Sequence, residues 1–268
     1  MAIRDYQAIK FDGTSSENRL DALTVEEGLQ VKVNGEPLMI TMRSPGNDAE
    51  LVRGLLHSED ILPTTNEDVD IIIESKNKQG VVPVVNVNIP EDKLGDGYKN
   101  SRSFLSVSSC GICGQTELQE VKGELDNKGK FNPLDLKYMF ELMDGKQKTF
   151  RKSGGSHAAA AFDEKGEMIC VMEDIGRHNA VDKVIGTLLL KKQLNRAFAI
   201  TVSGRISYEI VMKAFRAKIP VLAAVSAPSS LAVDYSKELG ITLFGFCRGE
   251  NATCYSNMHR VNPIDQIT

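Results

Sequence analysis

The sequence predicts an α/β protein (α+β overall), in which a β-rich N-terminal domain precedes a three-layer α/β/α C-terminal domain. Through roughly the first 105 residues, short runs alternate apolar and polar residues, as is typical of strands. From Pro133 onward, helical and β-branched segments alternate, which favours a largely parallel sheet covered on both faces. The 268 residues suffice for two medium domains. We therefore divide the chain into residues 1–106, a mobile connection over residues 107–131, and residues 132–268.

The composition is that of an ordinary globular protein. Hydrophobic residues make up 41% of the chain, and its net charge of −4 gives no reason to expect contact with nucleic acid or an anionic membrane. The N-terminal residues do not resemble a signal peptide, and no segment approaches the roughly 20 apolar residues that cross a bilayer. We expect a cytoplasmic protein. The odd count of five cysteines argues against a disulfide framework.

The N-terminal part contains one clear hairpin. Apolar and polar residues alternate over Leu29–Met42 on both sides of Asn34-Gly35, and Asn-Gly is a strong hairpin-turn signal. Pro83 lies inside a later β-branched run, which favours an edge strand or a bulge because proline has no N–H to donate. The other predicted elements are a helix capped by Asn47 or Asp48 and strands at Val69–Glu74 and Val81–Ile89.

The C-terminal part alternates helices with strands. Asn132-Pro133 begins its first helix and Gly145 ends it, while Asp163–Gly166 is predicted to be a hairpin turn. The predicted helices are Leu134–Met143, Ala180–Leu190, Tyr208–Ala217 and Ser230–Leu239. The predicted strands are His157–Phe162, Met168–Glu173, Ala197–Val202, Val221–Val225 and Thr242–Cys247.

Polar turns follow four of these strands. In an open α/β sheet, ligands bind outside the carboxyl ends of the strands, where helix N-termini suit phosphate. Arg177, Arg205 and Arg248 lie in three of the turns, where arginine can add bidentate contacts. The sequence therefore predicts a phosphate-bearing ligand at this edge. The turns are residues 173–179, 203–207, 226–230 and 247–251.

The polar residues of these turns also have a structural interpretation. Asp174, Ser207 and Ser229 are of the types that cap helices. His157 and His178 lie beside glycines at the ends of predicted elements, where a histidine often makes only a structural hydrogen bond. Both interpretations stay open from the residues alone, and neither histidine is assigned a role.

Cys110 and Cys113 form a C-x-x-C pair within the sequence Ser-Ser-Cys-Gly-Ile-Cys-Gly. A cysteine among glycine and serine is more accessible than one buried in apolar packing. Four interpretations compete. A structural zinc site lacks a second pair of ligands, and a thioredoxin-type pair belongs at the start of a helix in a βαβ unit. A third interpretation is that both cysteines are simply structural. The fourth is a sulfur relay, in which a mobile thiolate carries a persulfide, and it fits the context best.

Several long blocks of the sequence resemble the formate dehydrogenase accessory sulfurtransferase family, FdhD. The resemblance spans nearly the whole chain. Three residues depart from the family pattern: Asp60 and Lys218 stand where glycine is usual, and Ser153 replaces a usual threonine. The blocks that carry the resemblance are residues 33–37, 43–46, 108–114, 150–162, 173–186 and 203–233.

The resemblance implies a sulfur carrier. Such a protein accepts sulfur from a cysteine desulfurase and passes it to the bis(molybdopterin guanine dinucleotide) molybdenum cofactor that formate dehydrogenase needs. Cys110 matches the persulfide-bearing cysteine, with Cys113 as its companion. The resemblance also implies a cytidine-deaminase fold for the second domain and a homodimer, with no permanently bound metal. The residues that match the family's cofactor-binding stretch are Phe246, Cys247, Arg248, Gly249, Glu250 and Asn251.

Two other functions are considered. A zinc-dependent nucleotide deaminase needs Pro-Cys-x-x-Cys, whereas Pro228 is followed by Ser229-Ser230. A non-catalytic chaperone that escorts the molybdenum cofactor without moving sulfur is the second, and the polar turns suit it equally well. Replacement of Cys110 distinguishes this chaperone from the sulfur carrier.

Overall fold

The computed structural model describes residues 2–74, 83–101, 123–125 and 129–263. These residues form three sheets and seven helices, none of which is long and apolar enough to cross a membrane. The helices are α1 (Asp48–Ser58), α2 (Asp96–Ser101), α3 (Asp135–Lys146), α4 (Lys148–Ser153), α5 (Arg177–Leu190), α6 (Tyr208–Arg216) and α7 (Ser230–Glu238). The strands are β1 (Ile3–Asp12), β2 (Ser15–Thr24), β3 (Glu27–Val33), β4 (Glu36–Arg43), β5 (Asp70–Glu74), β6 (Val84–Asn88), β7 (His157–Phe162), β8 (Met168–Asp174), β9 (Ala199–Val202), β10 (Val221–Ala224), β11 (Thr242–Arg248) and β12 (Asn251–Ser256).

The six-stranded sheet has the order β12-β11-β10-β9-β7-β8. Only β9, β10 and β11 run parallel, so the expectation of a largely parallel sheet is wrong. Hairpins are the reason, because a short turn returns the chain antiparallel to the strand it leaves. The predicted turn at Asp163–Gly166 joins β7 to β8, and Gly249-Glu250 joins β11 to β12.

Both faces of this sheet are covered, as the predicted three-layer α/β/α domain requires. Along β7, Ala159 and Ala161 belong to the core beneath α5 and α6, whereas Ala158 and Ala160 belong to the core beneath α3. Residues of a strand point alternately to opposite faces, so the run of small buried residues lets helices approach from both sides. The α+β fold class is confirmed.

The N-terminal sheet has the order β4-β3-β6-β5. The predicted hairpin is confirmed, with Asn34 (φ 52°) and Gly35 (φ 84°) in the left-handed region at its turn. The edge position or bulge expected at Pro83 is wrong, because β6 pairs with both β3 and β5 without an irregularity. Pro83 lies just before β6, where its carbonyl accepts from Gln30 N at 3.0 Å and no N–H is needed.

Helix α1 of the N-terminal part packs directly against α5 of the C-terminal part. A Cβ at Gly54 would lie 1.8 Å from the carbonyl oxygen of Asp182, and one at Gly186 would lie 1.8 Å from that of Glu50. The two backbones can therefore approach this closely only with glycine at both positions. The division of the chain at residues 107–131 stays a prediction, because most of that segment lies outside the described residues.

Two departures from the family pattern have a structural consequence. Asp60 has φ 58° and Lys218 has φ 56°, both in the left-handed region that glycine adopts without strain. Asp60 follows α1 and Lys218 follows α6, where a left-handed residue commonly ends a helix. The chain keeps the turn geometry with a side chain present.

Candidate functional site

The polar turns of the C-terminal part lie at one edge of the six-stranded sheet. The parallel strands β9, β10 and β11 end there. Because β7 is antiparallel to β9, its first residue, His157, lies at the same edge, paired with Asp174 at the end of β8. We call this the polar edge, formed by His157 and by residues 173–179, 203–207, 225–230 and 246–251. The sheet thus places together all four turns that the sequence singled out.

Backbone hydrogen bonds connect three of these turns. Ile206 N donates to Ala227 O at 3.3 Å, and Ser229 N donates back to Ile206 O at 2.9 Å. Phe246 N donates to Ser226 O at 3.2 Å. The side chains that these three turns carry are therefore held at fixed distances from one another.

Of the residues predicted as helix caps, one has that role. Ser229 Oγ accepts from Ala232 N at 3.1 Å and caps α7. Ser207 precedes α6, but its hydroxyl contacts other side chains instead. The residue before α5 is Gly176, and Asp174 accepts from Gly176 N at 2.8 Å without capping the helix.

The β11–β12 hairpin carries the six residues matched to the cofactor-binding stretch. Phe246 has φ 53° and is 46% exposed, and the register between β11 and β12 shifts here. Cys247 points the other way into the core beneath α3. Gly249 has φ 56° with open space around it. The bulge therefore turns the Phe246 ring outward at the polar edge.

The charged residues of this hairpin are partly occupied. Arg248 Nε donates to Val225 O at 3.2 Å. Among the described residues, the rest of its exposed guanidinium has no partner and can therefore bind a ligand. Glu250 pairs with Lys137 of α3 at 2.5 Å. Asn251 is exposed at the start of β12. The stretch thus offers an aromatic ring, a guanidinium and open glycine backbone to an anionic or aromatic ligand.

A second set of side chains lies where α5 and α6 begin. His178 Nε2 lies 3.0 Å from Ser207 Oγ and 3.3 Å from Glu209 Oε2. Ser207 Oγ donates to the same carboxylate at 2.5 Å. The hydrogen bond with His178 is the largest cause that lowers the pKa of Glu209 to about 2. Glu209 is therefore a carboxylate with its hydrogen-bonding partners already in place.

His157 faces Gly204 across the neighbouring strands. A Cβ on Gly204 would lie 3.3 Å from His157 Nδ1 and 3.5 Å from Arg177 Cδ, so both side chains close over this glycine. Burial and then the charge of Arg177 lower the pKa of His157. His157 is therefore a neutral imidazole at neutral pH.

A buried network fixes the end of β8, and sequence reasoning missed it. Asp174 pairs with Lys183 at 2.7 Å and accepts from Ser44 N at 3.1 Å. Ser44 Oγ in turn accepts from Ile175 N at 3.0 Å. Ser44 belongs to a block recognised only as a family signature, and its partners lie 130 residues away in the sequence. No local pattern signals that contact.

Cys110 and Cys113 lie outside the described residues. The other three cysteines are free thiols whose pKa is raised, chiefly by burial. The pKa of Cys170 rises to about 11 and that of Cys247 to about 12, while that of Cys254 is also raised. These three thiols are therefore protonated at neutral pH. Within the described ranges, no group of three His, Cys, Asp or Glu side chains could hold a metal ion.

These features define the class: an α+β protein whose polar turns meet at the end of a mixed sheet. The model of the FdhD/NarQ family matches residues 24–262, and the chain belongs to this family. The protein named sulfur carrier protein FdhD in Streptomyces avermitilis is 41% identical over 266 residues, which cover 93% of this chain and 92% of that protein. Its namesake in Sulfolobus acidocaldarius is 38% identical, covering 98% and 100%.

A solved structure has the same fold. It is the crystal structure of a protein from Desulfotalea psychrophila assigned as a formate dehydrogenase accessory protein, with a TM-score of 0.75. The match covers 98% of this chain and all of that one, at 19% identity. This likeness supports the α+β fold.

Proposed function

We propose that this protein carries sulfur from a cysteine desulfurase to the bis(molybdopterin guanine dinucleotide) molybdenum cofactor, as formate dehydrogenase requires. The single observation that carries the proposal is membership of a family whose relatives are named sulfur carrier proteins. Cys110 bears the sulfur as a persulfide and Cys113 assists. The raised pKa of the other three thiols supports this assignment, because the thiolate is the nucleophile.

Two thiol–disulfide exchange steps transfer the sulfur atom, and neither step needs a metal bound by the protein. The Cys110 thiolate attacks the terminal sulfur of the donor persulfide, the donor S–S bond breaks, and the donor leaves as a thiolate. The Cys113 thiolate then attacks the inner sulfur of the Cys110 persulfide. The outer sulfur departs as hydrosulfide, which the cofactor takes up, and a Cys110–Cys113 disulfide forms. A dithiol reductant then reduces this disulfide.

The polar edge is the proposed binding surface for the molybdenum cofactor, which is the substrate. The guanidinium of Arg248 suits phosphate, and the open backbone at Gly249 allows close approach. The exposed ring of Phe246 offers a face on which a guanine base can stack. Both parts of a guanine nucleotide thus have a partner on one hairpin.

The persulfide is tested by mass spectrometry. Full-length protein is incubated with a cysteine desulfurase and cysteine, then digested and its peptides weighed. We expect one added sulfur atom on Cys110, none on that peptide in Cys110→Ala, and none on Cys247 in either protein. No added sulfur on Cys110, in protein where an alkylating reagent does reach that thiol, contradicts the relay.

The chaperone function remains as a second candidate, because the residues that form the polar edge do not include the C-x-x-C pair. Cys110→Ala separates the two: full support of formate dehydrogenase activity by this variant favours the chaperone, and loss of that support favours the carrier. Cys170→Ala is the matched control, since Cys170 is a packed thiol distant in sequence from the pair.

The binding surface has its own test. Arg248→Gln is expected to weaken guanine nucleotide binding about tenfold, as loss of a charged hydrogen bond does. Calorimetric titration measures it with guanosine diphosphate. Arg196→Gln is the control, because Arg196 lies before β9, at the opposite end of the sheet. Equal affinity in wild type and Arg248→Gln removes Arg248 from the site.

A further inference from the structure

Two arginines at the polar edge have no counter-ion within the described part of the chain. Arg177 begins α5 and Arg205 lies in the turn after β9, and among the described residues neither guanidinium has a hydrogen-bond or ion-pair partner. The Nε atom of Arg177 is also buried. A buried N–H without an acceptor is costly in a folded protein. An acceptor from outside the chain would remove that cost.

The acidic groups nearby already have partners. Asp174 is paired with Lys183 at 2.7 Å and accepts from Ser44 N and Gly176 N. Glu209 is engaged by Ser207 and His178. Neither carboxylate forms an ion pair with Arg177 or Arg205. Glu173 likewise accepts from Thr149 N, Phe150 N and Ser156 Oγ, so the hydrogen-bonding capacity of these carboxylates is used by groups other than the two arginines.

The start of α5 adds hydrogen-bond donors beside Arg177. Its first turn contains no acidic residue, and Gly176 before it supplies no capping side chain. The first N–H groups of a helix carry partial positive charge and lack partners within the helix. The guanidinium of Arg177 and these N–H groups lie at the same helix terminus, so they can bind one ligand together.

We propose that Arg177, Arg205 and the first N–H groups of α5 form an anion-binding subsite for a phosphate or pyrophosphate group. His157 completes the subsite. Its imidazole beside Gly204 is neutral, so it can donate a hydrogen bond to the anion without repelling the positively charged arginines. Two phosphate oxygens match the two N–H groups that a guanidinium presents side by side.

This subsite differs from the hairpin at Phe246–Asn251. Strand β10 separates β9 from β11, so the ends of those two strands lie roughly 10 Å apart. A nucleotide bound through its base at the hairpin can extend its phosphates along the edge toward Gly204. The subsite thus rests on the proposed function for the identity of its natural ligand, but not for its affinity for a simple anion.

Inorganic pyrophosphate is the probe, titrated calorimetrically into the full chain at fixed ionic strength. We expect Arg177→Gln to weaken binding about tenfold and Arg205→Gln to weaken it by at least about threefold. Arg196→Gln removes the same charge at the opposite edge of the sheet, beside Asp163, and is expected to bind as the wild type does. If Arg177→Gln does not fold, as judged by circular dichroism, the exposed Arg205 decides the outcome.

Histidine NMR gives an independent readout. A bound anion favours the charged imidazole, so pyrophosphate is expected to raise the pKa of His157 in the wild type. In Arg177→Gln the pKa of His157 is already higher without ligand, because a positive neighbour has been removed, and pyrophosphate raises it little further. A pKa of His157 that pyrophosphate leaves unchanged in the wild type contradicts the subsite.

The outcomes separate this subsite from the proposed function. Absence of pyrophosphate binding in the wild type, or equal binding in Arg177→Gln, overturns the subsite even where Cys110 gains sulfur. Binding that depends on Arg177, in protein whose Cys110 gains no sulfur from a desulfurase, upholds the subsite and contradicts the carrier function alone.

Discussion

At the residue scale, charges buried near the polar edge serve to hold it in position. Asp174 and Lys183 are fully buried and 2.7 Å apart, and their remaining hydrogen-bonding capacity is used by Ser44 and neighbouring backbone. Such a pair adds little net stability compared with apolar packing, but removal of one partner leaves an uncompensated charge. The pair therefore fixes where β8 ends and where α5 begins.

Lys183→Met is expected to lower the free energy of unfolding by about 3–5 kcal/mol, because it leaves the Asp174 carboxylate buried without its counter-ion. Lys192→Met is the matched control. Lys192 pairs with Asp68 at 2.9 Å on the surface, where such a pair contributes at most about 1 kcal/mol. Guanidinium denaturation of both variants measures the difference. Equal losses would show that the buried pair has no special role.

The lowered pKa of Glu209 predicts an acid-sensitive contribution to stability. The carboxylate is stabilised in the folded state, so its contribution is complete above the ordinary pKa of about 4.5 and is lost as the pH falls toward about 2. Wild type is expected to be more stable than Glu209→Gln at pH 6, with a difference that narrows between pH 4.5 and 2. The difference in stability between wild type and His178→Gln is expected to narrow over the same pH range. Parallel urea-midpoint curves for wild type and Glu209→Gln over this range would refute the prediction.

At the scale of elements, the crossing of α1 and α5 depends on two glycines. In the middle of an α-helix glycine normally costs roughly 0.5–1 kcal/mol relative to alanine. Gly54 and Gly186 offset that cost by allowing backbone contact, since a Cβ at either one would meet a carbonyl oxygen at 1.8 Å. The flexible end of a side chain can move aside, but helix backbone cannot.

Gly186→Ala is expected to destabilise the protein by about 3 kcal/mol or more, because the two helices must separate to admit the methyl group. Gly145→Ala is the control, since Gly145 is inside α3 with open space around it. That change is expected to stabilise by about 0.5–1 kcal/mol. Thermal and urea denaturation measure both. A Gly186→Ala variant as stable as wild type would mean that the helices do not pack this closely.

Elements with a strong local pattern were predictable from the sequence, and their neighbours in the sheet were not. Strand β7 begins and ends at the predicted residues, and β8, β9, β10 and β11 lie within two residues of prediction. Local periodicity determines such elements. The placement of β7 between β8 and β9 depends on which edges pair, which periodicity does not encode. The β1–β2 ribbon was missed because most of its residues are exposed and its pattern is weak.

At the scale of the whole molecule, the position of the candidate site followed from a general rule about sheets. Ends of parallel strands share an edge, so the turns containing Arg205 and Arg248 were expected to lie at one edge of the sheet, and they do. Contacts such as Ser44 with Asp174, or His178 with Glu209, join residues far apart in sequence or on different helices. They arise from tertiary packing, so no sequence motif announced them.

The packing of α1 on α5 predicts that the two halves of the chain unfold together. Lys213 pairs with Asp182 at 2.9 Å beside Ser58 Oγ, so buried polar contacts reinforce the glycine crossing. Hydrogen exchange with mass spectrometry in increasing urea compares strands 27–33 and 84–88 with strands 199–202 and 221–224. We expect both sheets to lose protection at the same urea concentration, and Gly186→Ala to lower that concentration equally for both. If the N-terminal sheet opens first while the six-stranded sheet stays protected, the halves are independent units and α1 is only loosely attached.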